Sequence, residues 1–211
     1  GGAASSFDPR YLLNSAYASP NNSLNFSIYQ PGNSGTVWGS VFNAANPHYT
    51  LNLQIGPGGT ASASVSFSAT VAASQTQAAP GSYTSKFNGN HTALHWAWAP
   101  WPAVPLSCQT GTLLGGSYST AANAFAFTAN ATVSPYCTVR QAQALNFGSV
   151  AGLNTATTAQ NLLSVQCTSQ TAYRIGLLPS SNNTGGAGQM SATGSIAGNT
   201  DKVPYTLYQN A

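Results

Sequence analysis

The side chains that could carry acid, base or metal chemistry are few enough to name. The carboxylates are Asp8 and Asp201, the histidines His48, His91 and His95, and the cations Arg10, Lys86, Arg140, Arg174 and Lys202, in a chain of 211 residues. His91 and His95 have the i, i+4 spacing of a metal pair, but only on a helix. Pro100, Pro102 and Pro105 argue against a helix continuing there, and no third ligand is obvious, so metal binding is not expected. Two carboxylates are too few to support acid–base or glycosidase chemistry, and no Gly-x-Ser-x-Gly elbow exists. Gly185-Gly186-Ala187-Gly188 is glycine-rich like a phosphate loop, yet it lacks the Lys-Ser/Thr that would follow. It reads as a flexible loop. Neither an enzyme nor a cofactor is expected.

What the chain does concentrate is aromatic surface. Between His91 and Leu106 lie three of its four tryptophans, Trp96, Trp98 and Trp101, within six residues. The prolines exclude a central strand and hold the backbone extended, which places the indoles on a loop or at a domain junction. Three uses compete. The tryptophans could pack between domains. Trp96, Trp98, Trp101 and Val104 could form a stiff exposed finger loop, which would lose little entropy on touching a hydrophobic surface. Or the indoles could stack on carbohydrate. Pro31 to Thr36 and Gly56 to Gly59 are further loops, whose ordinary reading is turns.

The elements that must position these residues are strands. Ala61 to Val71 alternates apolar and hydroxyl residues without a break, which reads as a long antiparallel strand with one face in a core. Leu24, Phe26 and Ile28 alternate in the same way, as do Leu51, Leu53 and Ile55, then Phe125 to Val133, then Val203, Tyr205 and Leu207. Turn chemistry separates them at Pro31-Gly32, Gly56 to Gly59, Pro80-Gly81, Gly115-Gly116 and Ser180 to Gly188. No segment carries helical periodicity over three turns. The class is all-β, of sandwich type.

Composition narrows the partners. Hydrophobic content of 42% supports a packed core, while only 3% of residues are charged. A formal net charge of +3 with no basic run excludes nucleic acid as the partner, because phosphate binding needs clustered cations. No apolar stretch is long enough to span a bilayer as a helix, and Gly1 to Ser6 has neither part of a signal peptide, so any such peptide is expected to have been removed. The low charge and the cysteines suit a secreted or periplasmic protein. Of Cys108, Cys137 and Cys167, we pair the last two. That closes a loop of 31 residues, stabilises by about 3 to 4 kcal/mol, and leaves Cys108 over.

Leu24-Asn25-Phe26-Ser27-Ile28-Tyr29 and Val203-Pro204-Tyr205-Thr206-Leu207-Tyr208 share one pattern, offset by 179 residues. The chain therefore reads as the rear of one domain joined to the front of the next, with a boundary in Pro100 to Gly116. Ala131 to Val139 around Cys137, Leu145-Asn146-Phe147-Gly148-Ser149-Val150, Leu163 to Thr168 around Cys167, and Ala172 to Leu177 resemble the spore coat U domain family. That family includes subunits and two-domain tip adhesins of archaic (Csu-type) chaperone-usher pili. In the front half, Tyr29, Val37-Trp38-Gly39 and Pro80-Gly81-Ser82-Tyr83 are similar to the family's landmarks in order.

The resemblance implies tandem immunoglobulin-like pilin sandwiches, each completed by a donated strand. Residues 1–107 would be the rear part of an N-terminal, adhesin-like domain. Residues 108–211 would be the front part of a C-terminal pilin domain, incomplete at its C-terminal end. It further implies a non-enzymatic adhesive or structural subunit, secreted through the periplasm to a surface pilus, that serves attachment and biofilm formation. Its partners would be a periplasmic chaperone, an outer-membrane usher, neighbouring subunits and hydrophobic surfaces. Gly1 to Arg10 lacks the alternation of a donor strand, which favours the tip position. Ala61 to Val71 and Phe125 to Val133 are candidate walls of the open groove. The alternatives are an ordinary closed sandwich in structure, and a secreted carbohydrate-binding module or a passive coat or matrix protein in function.

Overall fold

Alternation becomes a strand only where a neighbour supplies hydrogen bonds, and the computed structural model shows where that happens. It describes residues 9–39, 48–56, 58–100, 108, 117–151, 155–179, 184–191, 198 and 200–208. The chain divides into two compact units, residues 1–171 and 172–211. Among the described residues the regular structure is antiparallel β apart from one 3-10 turn, consistent with an immunoglobulin-like sandwich. No helix among them is long and apolar enough to cross a membrane.

The first unit is built on a six-stranded sheet of β1 (Arg10–Leu13), β2 (Ser23–Gln30), β3 (Asn33–Val37), β4 (Ser68–Val71), β5 (Gly81–Phe87) and β8 (Phe127–Val133). β2 pairs with β1, β3 and β4; β1 pairs with β5, and β5 with β8. Period-two patterning is obeyed inward: Leu12, Leu24, Phe26, Ile28, Tyr83 and Phe87 are buried together with Ala78. β8 adds Phe127, Ala129, Ala131 and Val133 to that cluster from the other side of β5. Rings run through the core. Phe26 meets Phe87 edge-on at 6.3 Å, Phe87 stacks on Phe127 at 4.5 Å, and Phe127 packs on Phe67 at 5.5 Å. Phe67 meets Trp38 edge-on at 5.1 Å, so the Trp-Gly landmark closes this chain of rings.

Two polar devices hold the sheet. Tyr83 is fully buried, and its hydroxyl lies 2.7 Å from the Ala79 carbonyl and 3.0 Å from that of Asn21. A tyrosine bonded back to the backbone just upstream is a recurrent corner of immunoglobulin-like sandwiches. Burial pushes its pKa above the ordinary 10.0, against the smaller opposing effects of hydrogen bonds with Ala79 and Asn14. Where β4 ends, the Gln75 amide takes over as a surrogate strand. Its Oε1 accepts from the Asn25 amide, and its Nε2 donates to the carbonyls of Asn25 at 3.1 Å and Ala72 at 2.8 Å.

β9 (Cys137–Ala142) and β10 (Leu163–Cys167) form a second antiparallel pair in the first unit. In the second unit β11 (Ala187–Ser191) pairs with β12 (Lys202–Thr206), so the Val203 copy of the repeat is a strand like the Leu24 copy. Gly185 to Gly188 is not simply a flexible loop. Gly188 lies in β11 opposite Tyr205, where an added Cβ would sit 2.4 Å from the tyrosine ring. Any larger residue there would have to displace that ring and Pro179.

Two strand expectations fail. Of Ala61 to Val71 only Ser68–Val71 is a strand, and Leu51, Leu53 and Ile55 form none; these three are 45%, 48% and 63% exposed. Their pattern fits a half-buried strand, but no described residue pairs with them. The boundary expected between residues 107 and 108 falls between β5 and β8, which lie side by side in one sheet.

Two outcomes check this arrangement. Phe87→Ala should destabilise by about 3 to 5 kcal/mol in urea unfolding, because it removes a ring packed on both faces of the cluster. A variant as stable as the parent would place the core elsewhere. In an alkaline absorbance titration one phenol should ionise later than the rest, and Tyr83→Phe should abolish that late phase. The stability tied to this shift is present below the ordinary tyrosine value and is lost as pH rises through the raised one.

Candidate functional site

The aromatic segment stands on the longest ladder among the described residues. β5 and β8 pair over seven residues, from Gly81 opposite Val133 to Phe87 opposite Phe127. Past Phe87 the chain makes a 3-10 turn, Gly89–Thr92, and Asn123 faces it from the other arm. The Asn123 amide donates to the Gly89 carbonyl at 2.8 Å, and the Gly89 amide donates to Asn123 Oδ1 at 3.0 Å. Ala124 then donates to the Thr92 carbonyl at 2.9 Å, with Thr92 itself buried. Gly89 and Asn123 have φ of 57° and 58°, a left-handed backbone that glycine and asparagine tolerate best.

Beyond this waist the two arms pair again as β6 (Leu94–Trp98) and β7 (Ser117–Ala121). Residues 81–98 and 117–133 are thus two arms that pair at both levels, their base in the core and their far part carrying Trp96 and Trp98. Trp96 and Trp98 sit on a strand, which corrects the expectation of a loop or junction. The prolines begin at Pro100, past the last paired residue, and so do not interrupt the ladder. Leu94, Trp96 and Trp98 point to one face and are 51%, 42% and 52% exposed. Their cross-strand partners are Ala121, Ser119 and Ser117, all small. On the opposite face His95 Nδ1 lies 2.9 Å from the Tyr118 hydroxyl, the two rings stacked at 6.1 Å. Trp101 and Val104 lie outside the described residues.

The fourth tryptophan has a different environment. Trp38 is partly buried, stacks on Phe125 at 6.1 Å, and its carbonyl accepts from the Arg10 guanidinium. His91 closes the 3-10 turn and His95 lies in β6, so the two do not share a helix. Among the described residues no three His, Cys, Asp or Glu side chains are placed to hold a metal ion.

The disulfide joins Cys137 to Cys167 at directly opposed positions of β9 and β10, and Cys108 is a free thiol. Beside it an open groove is lined by Leu24, Ala78, Val133, Tyr136, Arg140 and Cys167, where the front sheet meets the disulfide-bonded hairpin. Sequence reasoning missed Tyr118 and Asn123. The signal for Asn123 was a single asparagine among the small residues Ala121-Ala122-Asn123-Ala124, a residue type that favours turns; Ser117 to Ala121 carries no apolar stripe that would mark a strand.

An all-β protein with opposed half-cystines and an aromatic hairpin is the class these features define. Residues 123–211 match the Spore Coat Protein U domain. No curated protein and no solved structure matches the chain. The match begins ahead of β8, so the strand that closes the front sheet belongs by sequence to this domain.

Indole exposure is directly measurable. A variant keeping only Trp38 should emit at shorter wavelength and resist acrylamide quenching, whereas variants keeping only Trp96 or only Trp98 should be quenched readily. Equal quenching of all three would contradict the burial described.

Proposed function

We propose that this protein is a non-enzymatic adhesive or structural subunit of an archaic chaperone-usher pilus, assembled by strand donation and serving surface attachment and biofilm formation. The observation that carries the reading is β8. By sequence it leads the Spore Coat Protein U domain, yet it completes the sheet of the body before it. That is strand addition within one chain. Residues 1–107 then supply the front domain, and residues 108–211 begin with the strands that finish it.

A chain that gives its leading strand to the domain before it leaves its own following domain in need of one. The exposed Val139, in β9, is a surface a donated strand would cover. Burying about five apolar side chains at roughly 1.5 to 3 kcal/mol each contributes on the order of 10 kcal/mol, comparable with a whole domain's stability. In this reading a periplasmic chaperone supplies the strand first and a neighbouring subunit later, with an outer-membrane usher directing the exchange. The protein sits at the tip, with the Trp96–Trp98 hairpin as the element that touches hydrophobic surfaces. The scarcity of ionisable groups supports a role without catalysis.

Co-expression with a periplasmic pilus chaperone tests it. The expected result is a soluble one-to-one complex, with aggregation or proteolysis of the protein expressed alone. A stable, soluble monomer without the chaperone would contradict assembly by donation.

A further inference from the structure

We propose that the Leu94–Trp96–Trp98 face of the hairpin binds a neutral polysaccharide, by stacking successive sugar rings on the two indoles. The inference rests on the reading of this hairpin as the contact element and names its ligand class. Trp96 and Trp98 alternate on one strand, so their side chains leave the backbone about 7 Å apart on one side. Both are about half exposed, and the partners opposite them are Ser119 and Ser117, too small to cover the ring faces. The result is two flat apolar surfaces, each with a hydroxyl directly across the strand pair.

That pairing selects among ligands. A pyranose ring has an apolar C–H face and a rim of hydroxyls, which match an indole and its neighbouring serine respectively. A bare hydrocarbon or plastic surface would leave the serine hydroxyls without partners and cost the face part of its binding. A polyanion or polycation would need opposite charge, and β6 and β7 contain no Asp, Glu, Lys or Arg. The only ionisable groups there, His95 and Tyr118, are bonded to each other on the far side and stiffen the hairpin. Stiffness matters because a preformed platform loses little entropy on binding. The alternation also suits an extended polymer: two rings in line on one strand can meet two residues of the same glycan.

The test is affinity electrophoresis of the chaperone-bound protein through gels containing hydroxyethylcellulose, glucomannan or xylan, with alginate as the anionic comparison. Retention on polystyrene is measured in parallel. At least one neutral glycan should retard the protein and alginate should not. Trp96→Ala and Trp98→Ala should each weaken binding by about tenfold, the loss of one aromatic stacking contact. Ser119→Ala removes only the hydroxyl; it should weaken glycan binding without weakening polystyrene retention. Trp38→Phe, remote from the hairpin face, should bind as the parent does. Retention on polystyrene without retardation by any neutral glycan would overturn this inference and leave the adhesive reading standing. Loss of both in the parent protein would sink the two together. Retardation that survives both tryptophan substitutions would place glycan binding elsewhere and overturn it as well.

Discussion

The ladder between β5 and β8 is the constraint on which the rest of the first unit depends. Seven residue pairs join positions 40 to 52 apart in the chain, and Phe127 completes a line of rings that would otherwise end at Phe87. Without β8, Phe87 and Tyr83 would lose one side of their packing. The same ladder sets the direction of the aromatic hairpin, since β6 and β7 continue its two arms past the Gly89–Asn123 waist. Core and contact surface are therefore parts of one element. A change at the base that shifted its register by one residue would also turn Trp96 and Trp98 to the opposite face.

Scarcity of charge shapes how this fold is held. Several of the bonds that hold the first unit join neutral groups: the Tyr83 hydroxyl on two carbonyls, the Gln75 amide standing in for a strand, the Asn123 side chain bonded across the waist. Such bonds are each worth on the order of 1 kcal/mol, and salt screens them little. The disulfide between Cys137 and Cys167 adds a covalent tie where the described core is thinnest, on strands with mostly exposed residues. A surface of this kind meets its partners through shape, backbone edges and aromatic rings.

How much of this could be read from the sequence depended on whether the relevant partner was near in the chain. Leu24, Phe26 and Ile28 announced β2, and the alternation from Phe125 to Val133 announced β8, because alternation is a local property and both strands turn one face to the core. Leu51 to Ile55 alternates equally well and forms no strand, since alternation says nothing about whether a neighbour exists. The pattern also could not tell which sheet β8 would join, because its pairing with β5 spans the stretch where a domain boundary was expected. Trp96 and Trp98 read as a loop or domain junction because of the prolines that follow them, yet those prolines begin two residues after Trp98 and leave β6 able to pair. The cysteine pairing and the spore coat U likeness were legible, since both rest on residues around Cys137 and Cys167.

Native-state hydrogen exchange on an Ala131→Pro variant tests most directly whether β8 closes the front body. Proline in a strand interior breaks the ladder by removing a donor and restricting the backbone. If β8 is the closing strand, amides of β1, β2 and β5 should lose their slow exchange together, while those of β9 and β10, tied by the disulfide, keep theirs. Undiminished protection in β1, β2 and β5 would mean that the front body stands without β8, and the account would fail.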